Sequence, residues 1–277
     1  MDWKTIILII TLVANFFLAF LSYFGSKNEK VNIIWSAAVS AVFFWVFAMI
    51  FYRNAGSENA LVWCRVLYIS ATLIPILFLY FTFFYPEGKW LINKKVGFLI
   101  TLPTFAIILL VILPNIIIKD VMIKPGQEKE IIFGPYYFLY ALYISGYFFW
   151  SILNLCKKYF KYYGIIKSQI RYILLGTLIS IILGSTFNLL MPWFGEFRFN
   201  WLGQVTTLFM VSSVSYAIVK RELFGIKLVL VQILVVVIAI LLLFQFLAST
   251  TFFEYAWKGA LLIVFLIFGW LLINSVL

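Results

Sequence analysis

Polar and charged residues are gathered into short clusters along this chain. Between them run nine apolar stretches, each near the roughly 20 helical residues that cross a bilayer's hydrocarbon core. They fall at Thr5–Phe24, Val31–Tyr52, Ala60–Tyr85, Val96–Ile116, Tyr136–Cys156, Gln169–Met191, Trp201–Val219, Leu228–Leu247 and Trp257–Ile273. Apolar character is continuous within each stretch. A membrane β-barrel would show alternating strands of roughly ten residues separated by turns, so the pattern predicts an all-α polytopic membrane bundle of about nine transmembrane helices. The first stretch exits through Leu21-Ser22-Tyr23-Phe24-Gly25, a poor signal-peptidase site, and reads as an uncleaved helix.

Composition agrees: the 277 residues are 65% hydrophobic and only 11% charged, which leaves no room for a large soluble domain. Charge sets the orientation, because Lys and Arg in short loops are retained on the cytoplasmic side. The connections after stretches one, three, five and seven hold Lys27, Lys30, Lys89, Lys94, Lys95, Lys157, Lys158, Lys161, Lys167, Arg171, Lys220, Arg221 and Lys227, 13 in all. The other side holds Lys4, Arg53, Lys119, Lys124, Lys129, Arg198 and Lys258, which is 7. The N-terminus is therefore expected outside the cell and Leu277 in the cytoplasm, in an inner (plasma) membrane. The net charge of +11 is dispersed over loops and concentrated on one face. Topology and anionic membrane lipids explain it, and no nucleic-acid partner is expected.

Candidate site residues lie among the few polar groups at membrane depth. Arg65 is the one charge clearly inside a stretch, within Trp63-Cys64-Arg65. Intramembrane charge suggests function, while a side chain of this length also snorkels to headgroups; both readings stand. Glu58, Glu196 and Glu254 are its candidate partners. Gly176, Ser180, Gly184 and Asn188 recur at spacings of four on the sixth helix, a stripe of the kind that lets membrane helices pack closely. Pro75 and Pro103 are expected to kink their helices. The connection from Ile117 to Gly134 carries Lys124-Pro125-Gly126-Gln127, suited to a type II turn, so a small hairpin over the bundle mouth is expected. Phe133, Tyr136, Tyr137, Trp193 and Trp201 would rim a cavity there, although aromatic belts form at membrane interfaces in any case.

Several chemistries are missing from the sequence. There is no histidine, there are 2 separated cysteines, and the 10 carboxylates all lie outside the apolar stretches. Neither a general base of the usual kind nor a metal constellation is suggested. Cys64 and Cys156 fall near opposite membrane faces, beyond disulfide reach. No Walker A or kinase glycine-rich motif occurs. The chain is expected to be no enzyme, with no catalytic residue, cofactor or metal. A small-solute or lipid transporter or channel is the alternative class, although carriers more often show midplane charges and repeats.

Five patterns occur in order: Trp63-x-Arg65 with Pro75, Phe133-Gly134-Pro135-Tyr136-Tyr137, Gln169-x-Arg171 with Gly176, Asn188 with Pro192, and Tyr216-Ala217-Ile218-Val219-Lys220-Arg221-Glu222-Leu223-Phe224-Gly225-Ile226-Lys227. Together they resemble the seven-helix N-terminal sensor region of bacterial histidine kinases, over roughly Thr5 to Lys227. The resemblance implies a sensor domain at 1–227 and a transmembrane hairpin at 228–277 leading to a cytoplasmic output region that the residues up to Leu277 do not include. It implies a homodimer that works with a kinase domain in cis or a kinase partner, and a small-molecule or lipid ligand. Arg65, Tyr136, Tyr137, Asn188 and Trp193 are the ligand-binding candidates. Gly176, Ser180 and Gly184 would pack helices, and Lys220, Arg221 and Phe224 would carry the output.

Overall fold

The computed structural model describes residues 2–24, 29–89, 93–123, 128–219 and 252–276, together with Ala239, Leu242 and Phe246. The predicted span Leu228–Leu247 is almost wholly outside these residues, as are the output candidates Lys220, Arg221 and Phe224 and the turn at 124–127. Two compact units are distinguished, Met1–Ile218 and Val219–Leu277.

The first unit is built from α1 (Trp3–Phe24), α2 (Glu29–Asn54), α3 (Ala60–Phe84), α4 (Lys94–Ile112), a ribbon of β1 (Ile118–Met122) and β2 (Glu130–Phe133), α5 (Tyr137–Lys161), α6 (Gly164–Ser185), a π turn (Thr186–Leu190), α7 (Met191–Trp193) and α8 (Leu202–Val219). Six helices among the described residues are long and apolar enough to cross a membrane, the sixth running unbroken from Gly164 through the π turn to Trp193. α8 contributes a shorter apolar segment, Leu202–Ile218. In the second unit, α9 (Phe252–Val276) carries a Glu254–Lys258 pair at 3.5 Å one turn apart.

Two helices outrun their apolar stretches for a physical reason. α5 continues through Lys157, Lys158 and Lys161 to its C-terminus, where cations favour the helix dipole and long stems keep their charges at the interface. α6 begins at Gly164, five residues before the apolar run, directly after a two-residue link. Gly164 has φ +61°, a left-handed conformation that glycine adopts without penalty.

α3 is the central helix, with 61% of its apolar window buried against 28% for α1, α4, α5 and α6. The outward faces of these peripheral helices, with side chains such as Phe98, Leu142 and Ile182 exposed, are the lipid-contacting surface. Pro75 lies inside α3 and deprives the Ala71 carbonyl of its usual donor. One residue on, the Tyr143 hydroxyl donates to the Thr72 carbonyl at 3.1 Å and pairs with Thr104 Oγ1 at 2.8 Å, joining α3, α4 and α5.

Paired contacts identify the two ends of the unit. At one end Trp3 meets Trp201 edge-on and Asp2 pairs with Arg53, close to the β-ribbon. At the other, Glu87 pairs with Lys158 at 3.8 Å and Lys161 at 3.5 Å. The hairpin anticipated between Ile117 and Gly134 is present as the antiparallel β1–β2 ribbon. Gly134 closes it with its N–H on the Ile117 carbonyl at 2.9 Å. A Cβ there would stand 2.2 Å from the Ile116 carbonyl oxygen, so this backbone approach admits only glycine.

Candidate functional site

The stripe on α6 faces α8 along its length. A Cβ at Gly176 would lie 2.0 Å from Ser213 Oγ and 2.7 Å from the Phe209 carbonyl oxygen, and one at Gly184 would lie 3.5 Å from Thr206 Oγ1. Between them, the Ser180 hydroxyl donates to the Thr206 carbonyl at 2.6 Å and accepts from the Met210 N–H at 2.8 Å. Those are the two groups that an uninterrupted α-helix pairs with each other. Ser180 thus bridges an i and i+4 pair of backbone groups on α8. Farther along α8, the Ser215 hydroxyl lies 3.3 Å from Ser22 Oγ on α1 and accepts from Trp35 Nε1 on α2 at 3.2 Å.

The stripe ends in the π turn, where the Met191 N–H reaches back five residues to the Thr186 carbonyl. Such turns recur at functional sites. Here the turn carries Asn188, whose carboxamide donates to the Gly184 carbonyl at 3.3 Å. It lies so close to α8 that a Cβ on Gly203 would fall 1.2 Å from its nitrogen. The buried Gln204 amide lies beside it, with its nitrogen toward the Asn200 and Trp201 carbonyls at 2.9 and 3.0 Å.

Two cavities occupy this part of the bundle. An inner chamber of about 80 Å³ lies among α2, α3, α5, α6 and α8. Its walls divide by chemistry. Trp45, Leu67, Ile74, Ile144, Phe148 and Met210 form an apolar side, while Ser180, Ser185, Asn188, Asn200 and Thr207 bring polar groups from α6, the π turn and α8. At the ribbon end lies a wider vestibule of about 690 Å³, lined by Lys4, Arg53, Glu128, Lys129, Glu130, Glu196 and Arg198 among others. Asn200 lines both cavities.

Ion pairs link the vestibule's charges. Glu128 binds Lys4 and Arg53, each at 2.7 Å, and Arg53 also holds Asp2 at 2.8 Å. Arg198 grips Glu196 through both carboxylate oxygens, holding that carboxyl below its ordinary range. Lys129 instead caps the C-terminus of α2, donating to the carbonyls of Tyr52, Arg53 at 3.0 Å and Ala55 at 2.6 Å. Burial, then the nearby Arg53 charge, push its ammonium below the usual lysine value, against the pull of Glu128. No cluster of three or more potential metal ligands occurs among the described residues.

The structure distributes the five ligand-binding candidates unevenly. Asn188 lines the inner chamber. Tyr137 is buried outside that wall, stacked on Phe133 at 3.9 Å and donating to the Leu189 carbonyl at 3.4 Å. Tyr136 and Trp193 are each 51% exposed and line neither cavity. Arg65 is half-buried with its Nε unpartnered, and it forms no ion pair with Glu58 or Glu196 among the described residues. The sequence reading missed Asn200, Arg53, Glu128 and Lys129. A polar residue at an apolar stretch's edge and the Glu128-Lys129-Glu130 run in the hairpin were the available signals.

The family model described as the N-terminal 7TM region of histidine kinase matches residues 7–227. That segment holds the walls of both cavities apart from Lys4. No curated protein and no solved structure matches the chain.

Proposed function

We propose that this chain, which belongs to the family of N-terminal 7TM regions of histidine kinases, is the sensory input domain of such a kinase. It is a multi-pass membrane protein, with six helices among the described residues long and apolar enough to cross a membrane and the shorter apolar α8 beside them. In this reading the ribbon end faces outward, the C-terminus is cytoplasmic, and some nine helices cross the inner membrane. The excess of Lys and Arg on the other side supports this orientation. A stimulus reaching the vestibule or the inner chamber biases α8 against α6. The change passes through the segment after Val219 to a histidine kinase catalytic region, in cis or on a partner, within a homodimer. The chain itself contains no histidine and is assigned no catalysis.

The observation that carries the proposal is that the matched segment encloses a chamber bounded by α8, the helix leading toward the output segment. A ligand moves such an equilibrium only by binding its two states unequally, and a swing from 1:99 to 99:1 takes about 5.5 kcal/mol. The test joins the chain to a histidine kinase catalytic region in proteoliposomes and measures autophosphorylation. Gly203→Leu, which drives a side chain into Asn188 and the chamber, should change the rate several-fold. Phe105→Leu, on the lipid-contacting face, should not. Identical behaviour of the two variants would refute the reading, and solute flux through the vesicles would favour a carrier or channel.

A further inference from the structure

Asn200 is only 7% exposed, yet its side chain makes no hydrogen bond among the described residues and lines both cavities. A carboxamide can donate twice and accept twice, and on the wall of both cavities those capacities fall to whatever enters them. Its amide atoms are therefore open to whatever fills the space between the chambers. On the same polar side of the inner chamber stands a second carboxamide, Asn188, carried by the π turn. The remaining wall is apolar or hydroxylic and has no charged side chain. An ion inside would lie without a counter-charge, which a chamber of this kind disfavours strongly. The vestibule's ions do not supply one, because Lys4, Arg53 and Glu128 satisfy one another and Arg198 is held by Glu196.

We infer that the inner chamber binds an uncharged amphiphile with a small apolar body and a head that both donates and accepts hydrogen bonds, of the carboxamide or lactam type. Asn188 and Asn200 read the head, and the apolar wall takes the body. The ligand arrives from the vestibule past Asn200, since that residue is common to both spaces. This inference rests on the sensor reading for its significance but not for its test.

The probe is hexanamide carrying an aliphatic diazirine, photolysed with the full chain in lipid nanodiscs and mapped by mass spectrometry. The expected result is saturable labelling of chamber-wall residues such as Tyr140, Ile144 and Met210. Hexanamide should displace it, and neither hexane sulfonate nor hexyltrimethylammonium should. Asn200→Leu should cut labelling about tenfold, the scale of one lost buried hydrogen bond with its partner left unmatched. Ala71→Phe, which fills the chamber from α3 and leaves both carboxamides in place, should abolish it. Displacement by a charged competitor, full labelling of Asn200→Leu, or labelling confined to lipid-contacting residues would overturn the inference. Failed labelling beside a responsive kinase fusion removes the ligand assignment alone. Specific labelling that leaves kinase output unchanged removes the sensor reading alone.

Discussion

Replacing Ser180 by alanine removes a hydroxyl that makes two bonds into α8, to the Thr206 carbonyl at 2.6 Å and from the Met210 N–H at 2.8 Å. Hydrogen bonds between membrane helices contribute about 0.6 kcal/mol on average and rarely more than about 1.7, so the gross loss is roughly 1–3 kcal/mol. The two backbone groups left behind are an i and i+4 pair. They can close on each other and recover about 1 kcal/mol. The expected net destabilisation is therefore about 1 kcal/mol, with α8 regularised at that turn. Reversible unfolding in mixed micelles gives the first quantity, and amide hydrogen exchange at Met210 gives the second. The Met210 amide should stay protected in Ser180→Ala, and Ser180→Thr should behave like the parent. A loss above about 3 kcal/mol together with a rapidly exchanging Met210 amide would show that α8 cannot close its own ladder, and would refute the reasoning.

Gly176→Ala places a methyl against the Phe209 carbonyl oxygen and Ser213, so α6 and α8 must part; a loss of about 1–3 kcal/mol is expected in the same unfolding assay. Lys129→Met leaves the carbonyls of Tyr52, Arg53 and Ala55 without their cap and should cost about 1–2 kcal/mol, with faster exchange in the β-ribbon. Burial pushes the Glu87 carboxyl up, but the Tyr162 hydroxyl, Lys158 and Lys161 outweigh it and hold the group below its ordinary 4.5. A carboxylate depressed in the folded state stabilises above its unfolded pKa, and this contribution disappears as pH falls through the folded one. Acid titration of stability should thus show a component below about pH 4.5 that is missing in Glu87→Gln, and identical acid profiles would contradict it.

The membrane helices were legible in the sequence because lipid enforces one rule along their whole length: every backbone group must be satisfied within the helix. The α6 stripe was legible for a related reason, since Gly176 and Gly184 are spaced at a helical period and small residues permit close approach. The hairpin announced itself through Pro125-Gly126 between apolar flanks. The vestibule did not, because Asp2 and Lys4, Arg53, and Glu128 come from three separate parts of the chain and their pairing is a product of the fold. Asn200 was invisible for another reason: it stands just before an apolar run, where polar residues are ordinary, and only the geometry shows that it lines both cavities. Tyr136 and Tyr137 were expected to wall a cavity, yet Tyr137 spends its hydroxyl on the Leu189 carbonyl and Tyr136 lines neither cavity.

The π turn at Thr186–Leu190 sets how this helix tolerates a change of length. A bond that reaches back five residues instead of four accommodates one surplus residue in a single turn. Deleting any one residue there would let the helix run on as a regular α-helix. The wide turn has already absorbed the surplus residue, so the helical segments on its two sides would keep their faces in register across such a deletion. The lesion would fall instead on the widened turn itself, and with it on the placement of Asn188 against Gly203. This helix can thus lose a codon at the turn and keep the faces of its two halves aligned, whereas a codon lost within the regular helix between Gly176 and Gly184 would rotate one half of the stripe by about 100°.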